Sequence, residues 1–81
     1  MNIYVAIPEG ENRSTFLNDE NVAFLETLGR LTWNDTGAHL SADQLAHALR
    51  DVDVLVCGWG TPCLDESVLR YANRLKLVAY V

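Results

Sequence analysis

The chain has 81 residues, 49% of them hydrophobic and 21% charged, with a net charge of −5 and a pI of about 4.7. That composition fits one small domain, 1–81, which buries only about 60% of the surface its unfolded chain exposes. The six basic residues stand singly, which argues against nucleic acid or an anionic membrane as partner, and no apolar run approaches the roughly 20 residues that cross a bilayer.

The first element is the continuous apolar run from Ile3 to Ile7, a buried strand that Pro8 ends. It begins almost at Met1, without the basic and apolar regions of a secretory leader, so a cytoplasmic location is expected. Glu9 to Thr15 is polar, contains Gly10 and reads as a loop. Asn18 is a helix N-cap, followed by Asp19 and Glu20 where the helix dipole favours negative charge. Leu17 and Val22 can form a hydrophobic staple, and Val22, Leu25 and Leu28, with Phe24 beside them, recur at helical spacing up to Gly29, a natural stop.

Leu31 to Trp33 is a short strand, and Asn34 to Gly37 is turn chemistry. Ser41 and Gln44 form a capping box, with Leu40 and Leu45 as its staple. Leu45, Ala48 and Leu49 then give the apolar face of a second helix that ends near Arg50. Asp53 to Cys57 is an apolar, β-branched strand, and Gly58 to Pro62 is the loop that leaves its carboxyl end. Asp65 caps a third helix with Val68, Leu69 and Ala72 on its inner face. The run from Leu75 to Val81 is a last strand.

Strands alternating with helices require right-handed crossovers and a parallel sheet. The expected architecture is α/β and flavodoxin-like, with about four strands in the order 2-1-3-4 and three helices. An apolar strand at Leu75 to Val81 with no helix after it leaves an open edge. The domain is therefore expected to be incomplete at its C-terminal end, and that edge to drive homo-oligomerisation.

In open sheets of this kind ligands bind outside the carboxyl ends of the strands, which singles out the Gly58 to Pro62 loop. Trp59 has two readings there: its ring walls a substrate pocket with the indole N–H as donor, or it packs on a neighbouring helix. Gly58 and Gly60 either let a ligand approach the backbone or supply positive φ for a turn, and the turn is the simpler reading. Glu9 and Glu11 sit at the same edge as a solvated loop. Ser14 and Thr15 lack the glycine spacing of a phosphate loop, and His39 and His47 read as surface residues. Cys57 reads as a small buried hydrophobe and Cys63 as a loop thiol; the two histidines add no ligand motif to them, so no metal is expected. A phosphoacceptor receiver domain is excluded, because Cys57 and Gly58 stand where its aspartate belongs and Asp53 is at the other end of the strand.

The stretch Val54-Leu-Val-Cys-Gly-Trp-Gly-Thr-Pro-Cys-Leu-Asp-Glu-Ser-Val-Leu69, followed by Arg74-Leu-Lys-Leu-Val-Ala-Tyr-Val81, resembles the amino-terminal region of D-isomer-specific 2-hydroxyacid dehydrogenases. Leu17 to Gly29 and Leu31 to Asp35 also look like that family's first helix and second strand. The resemblance implies a substrate-binding domain, with Gly58, Trp59, Gly60 and Thr61 facing a cleft that receives a 2-hydroxy or 2-keto acid. It implies NAD or NADP in the parent enzyme, held by a separate Rossmann domain that supplies the catalytic groups. Gly58-Trp59-Gly60 is not followed by x-x-G opening a helix, so this chain carries no dinucleotide fingerprint. No residue here corresponds to the family's catalytic arginine, glutamate or histidine. The 81 residues are thus expected to bind no cofactor and to have no catalytic residue of their own. The alternative is a free-standing flavodoxin-like module that self-associates and catalyses nothing.

Overall fold

The computed structural model describes residues 1–58 and 60–80, and for Glu11, Asn12 and Phe16 the backbone alone. Strand β1 (Asn2–Val5) leads through helix α1 (Glu11–Phe16) and helix α2 (Asp19–Leu28) to β2 (Arg30–Trp33). Helix α3 (Ala42–Ala48) precedes β3 (Val54–Cys57), and helix α4 (Glu66–Leu69) precedes β4 (Leu77–Tyr80). The four described strands are all parallel, in the order β2-β1-β3-β4. This is the expected α/β, flavodoxin-like arrangement.

The register explains the continuous apolar runs. Ile3 pairs with Leu31 and Val54, and Tyr4 with Thr32 and Leu55, so β1 and β3 are central and have two faces to bury. Tyr4, Ala6, Leu55 and Cys57 point to one face, where they pack with Leu40, Leu45, Leu49, Val52 and Val68. Ile3, Val5, Ile7 and Val56 point to the other, joined by Leu17, Leu25, Leu31 and Trp33. The first face is covered by α3 and α4, the second by α2. Right-handed crossovers dictate this split, because the path from β1 to β2 runs opposite to the path from β2 past β1 to β3.

The caps form as their sequences require. Asn18 Oδ1 accepts from the Asn21 N–H at 2.9 Å, and Asp65 Oδ1 from the Val68 N–H at 3.1 Å. The capping box is reciprocal, with Gln44 N–H donating to Ser41 Oγ at 3.1 Å and Ser41 N–H to Gln44 Oε1 at 2.9 Å. Leu40 and Leu45 are both buried beneath it.

Several expectations need correction. Glu11–Phe16, expected as loop, is helical; the segment is too polar for a periodic signal, yet it docks through Arg13 on the sheet edge. Helix α2 buries no residue. Val22 and Leu25 are half-buried, whereas Phe24 and Leu28 are exposed, since Phe24 lies about 100° around the helix from Leu25. Gly29 stops α2 for another reason than a left-handed cap. Its backbone is extended, and a Cβ there would meet the Met1 carbonyl oxygen at 2.2 Å, the oxygen that accepts from the Arg30 N–H. Helix α4 is a single turn: of its expected inner face Val68 is buried, while Leu69 is exposed.

Among the described residues β4 pairs with β3 alone and forms the edge of the sheet, with Leu77, Val78 and Tyr80 exposed. Val81, the last residue of that run, lies outside the described residues. Leu77 and Ala79 register with Val54 and Val56 and so share the α2 face. Among the described residues no helix covers that face over β3 and β4.

Candidate functional site

The order β2-β1-β3-β4 creates one topological switch point. The chain leaves β1 towards β2 and leaves β3 towards β4, so the connections diverge and open a crevice between the carboxyl ends of β1 and β3. Ile7, Pro8 and Glu9 follow β1 at this edge, and Gly58, Gly60 and Thr61 follow β3.

That loop is a tight turn closed on itself. Thr61 N–H donates to the Gly58 carbonyl at 3.1 Å, and Gly58 N–H donates to Thr61 Oγ1 at 3.2 Å. Gly58 is buried and Thr61 half-buried, while Gly60 is exposed with φ of 88°. The turn reading of Gly60 holds, and the space beside it is taken by the chain itself: a Cβ on Gly60 would meet the His39 ring at 2.3–2.6 Å. His39 is exposed, as expected of a surface histidine, and its ring rests against the loop backbone at Gly60. Trp59 lies outside the described residues.

On the β2 side the edge is organised by Asn34, which is fully buried although it follows a strand as turn chemistry. Its Nδ2 donates to the carbonyls of Ala6 and Ala38, each at 2.9 Å. Its Oδ1 accepts from the N–H and Oγ1 of Thr36 at 3.0 and 2.7 Å. One side chain thus ties the end of β1 to the β2–α3 connection and sets the path that carries His39 over Gly60. An Asn within a polar turn signals a side-chain-to-backbone turn, but nothing nearby in sequence signals its burial.

Arg13 completes this edge. Its Nη1 donates to the carbonyls of Ile7 and Asn34 at 3.4 and 3.3 Å, and its Cζ lies 4.8 Å from the centroid of the Trp33 ring. Its side chain is 17% exposed, and Nη2 faces Glu9 Oε2 at 3.9 Å, beyond hydrogen-bond distance. A guanidinium so placed can hold a planar anion. It reads as a loop residue in the sequence because the helix that carries it has no apolar periodicity.

Cys57, the last residue of β3, is buried, and burial pushes its thiol up. That disfavours the thiolate a nucleophile needs. Cys57 and Cys63 are unpaired thiols. Among the described residues no group of three His, Cys, Asp or Glu side chains could hold a metal ion.

Comparison with models of known protein families, with curated proteins and with solved structures finds no match for this chain. Among the described residues no helix is long and apolar enough to cross a membrane.

The opposite, amino edge of the sheet carries a second grouping. Three arginines that stand singly in the sequence converge there. Arg50 and Arg70 lie 4.4 and 4.9 Å from the centroid of the Tyr71 ring, and Arg74 lines an open cavity of about 320 Å³ with Arg50, Asp51, Tyr71 and Asn73. Hydrogen bonds from Arg70 and then Arg50 hold the Tyr71 phenol below its ordinary pKa. Arg70 also pairs with Asp43 across α3 and α4. Arg50 and Arg70 follow the last turns of α3 and α4, where cations offset the helix dipoles. This cluster joins two helices; the carboxyl edge is the candidate site.

Proposed function

We propose that this chain is the substrate-side domain of an NAD(P)-dependent oxidoreductase acting on 2-hydroxy acids or 2-keto acids. The supporting observation is the Gly58 to Thr61 turn, which borders the switch-point crevice where the sequence resemblance implies a substrate wall. Hydride transfer needs a dinucleotide site, and the fingerprint for one does not occur in these 81 residues. NAD or NADP would be bound, and the catalytic groups supplied, by a Rossmann domain apart from them. The domain's own part is binding: the turn closed by Gly58 and Thr61 forms one wall, and Arg13 favours a carboxylate over a neutral ligand.

The test is a titration of the ¹⁵N-labelled chain with glyoxylate, pyruvate and D-lactate, paired with an NADH oxidation assay. Shifts confined to Gly58, Gly60, Thr61 and their neighbours, with no NADH consumed, are expected. NADH-dependent reduction of a keto acid by the 81 residues would overturn the division of labour. Absence of any shift at the loop would overturn the substrate-side reading.

The exposure of Leu77, Val78 and Tyr80 on the open edge of β4 favours a second reading, a self-associating module. Pairing of β4 with β4 of a second copy would satisfy its backbone and cover its apolar side chains. Sedimentation that stays monomeric at high concentration would count against it.

A further inference from the structure

The fold sorts charge by edge. In a parallel sheet whose helices run back against the strands, every strand starts and every helix ends on the same side. Arg30 opens β2, Arg74 and Lys76 precede β4, and Arg50 and Arg70 follow α3 and α4. Five of the six basic residues thus belong to the amino edge, while Arg13 stands at the carboxyl edge. The acidic residues in the first turns of the helices, Asp19, Glu20, Asp43 and Glu66, lie towards the carboxyl edge. A chain with a net charge of −5 therefore has one positive end.

We propose that the open cavity at this edge, lined by Arg50, Asp51, Tyr71, Asn73 and Arg74, binds the phosphate group of a small anion. Its volume of about 320 Å³ is at the lower end of the range for small-molecule sites. Its donors come from two separate connections: Arg50 from the one before β3, and Tyr71, Asn73 and Arg74 from the one before β4. Donors from two segments suit a tetrahedral head with three free oxygens better than a planar carboxylate, which one guanidinium fork satisfies. Two of the guanidiniums are free to turn to a ligand. Among the described residues Arg50 forms no ion pair and stacks on the Tyr71 ring. Arg74 Nε is 3.7 Å from Asp53 Oδ1, longer than a hydrogen bond, and its side chain is 59% exposed; Asp53 itself is engaged by the Asn2 N–H. Arg70 is held by Asp43 and adds a fixed charge beside the ring. Tyr71 already registers this field: Arg70 and then Arg50 hold its phenol below the ordinary pKa, and what favours a phenolate there favours an incoming anion. Asp51 is the carboxylate of the lining, so the cavity takes one phosphate with a neutral remainder and disfavours a second negative group. The site is at the opposite end of the strands from the switch-point crevice and does not depend on what binds there.

The experiment is an NMR titration of the ¹⁵N-labelled 81-residue chain, near neutral pH and at fixed ionic strength, with inorganic phosphate, glycerol phosphate and acetate. Saturable shifts at the amides of Arg50, Asp51, Tyr71 and Arg74 are expected with both phosphates, each binding at least about tenfold more tightly than acetate. Arg50→Gln, at an exposed position, weakens phosphate by about tenfold. Asp51→Asn tightens it by about threefold, and Asn tolerates the left-handed φ of 61° found at this position. Amide signals of β1 and β3 that keep their positions show that both variants are folded. Acetate binding as tightly as phosphate overturns the proposal, as does a phosphate affinity unchanged by both substitutions. Shifts that spread over Arg30 and Lys76 without saturating mean general attraction of anions to a positive end, and overturn it too. Tighter binding of glycerol phosphate than of the free ion, or the reverse, upholds the site and tells a phosphomonoester from inorganic phosphate.

Discussion

A single buried side chain organises the carboxyl edge. Asn34 uses both amide hydrogens on carbonyls of two different segments and receives two donors from Thr36, so all its polar capacity is met inside the protein. Replacing it with Ala leaves the buried Ala6 carbonyl without this donor and also removes the part-buried bond to the Ala38 carbonyl. Asn34→Ala is expected to cost about 2–3 kcal/mol, read from the midpoint of urea unfolding. Asn34→Asp should cost no less, since it presents an acceptor to those carbonyls. The residue types at this edge are visible in the sequence, but their roles are not. Asn34 reads as turn, Arg13 as loop and His39 as surface, because each acts on a backbone group that is distant in the chain or hidden by folding.

At the scale of elements, local chemistry is legible. Asn18, Ser41 and Asp65 all cap where their spacing says, because a cap needs only an oxygen and an N–H two or three residues on. Ser41→Ala should lower stability by about 1 kcal/mol. The double variant Ser41→Ala, Gln44→Ala should cost less than the two single changes added, since the capping box is reciprocal; thermal melts of the four proteins check this. Length is less legible than position. Helix α4 stops after one turn although its pattern runs on to Ala72, whose N–H bonds to the Leu69 carbonyl three residues back and so leaves the helical ladder. Helix α2 keeps its full length yet leaves Phe24 and Leu28 exposed, since only the stripe through Val22 and Leu25 meets the sheet.

Across the whole molecule, Asp53 joins three strands at the amino edge. Its Oδ2 accepts from the Asn2 N–H at 2.7 Å, its backbone N–H donates to the Asn2 carbonyl, and its carbonyl accepts from Lys76 and Leu77. Arg74 Nε stands 3.7 Å from Oδ1. The Asn2 hydrogen bond, followed by the charge of Arg74, holds this carboxyl below its ordinary range despite burial. A depressed folded-state pKa means the unfolded chain takes up the proton first as pH falls. The stabilisation is therefore complete above about pH 4, the unfolded value, and is lost as pH drops through the folded one. Asp53→Asn should melt lower than the parent at pH 7, and the gap should shrink towards pH 2, as followed by circular dichroism. A gap that is constant across that range would show that the charge of Asp53 contributes nothing.

The alternation of buried strands with capped helices is written in neighbouring residues, and with the fixed hand of the crossovers it leads to the sheet order β2-β1-β3-β4. The crevice between β1 and β3 follows from that order. What occupies its walls does not, because Arg13, Asn34, His39 and Gly60 are brought together by contacts between segments more than twenty residues apart on both faces of the sheet. Arg50 reaches Tyr71 in the same way, whereas Arg70 and Arg74 are neighbours of Tyr71 in the chain. Periodicity and capping register interactions within a few residues, whereas a binding edge is made where separate connections meet.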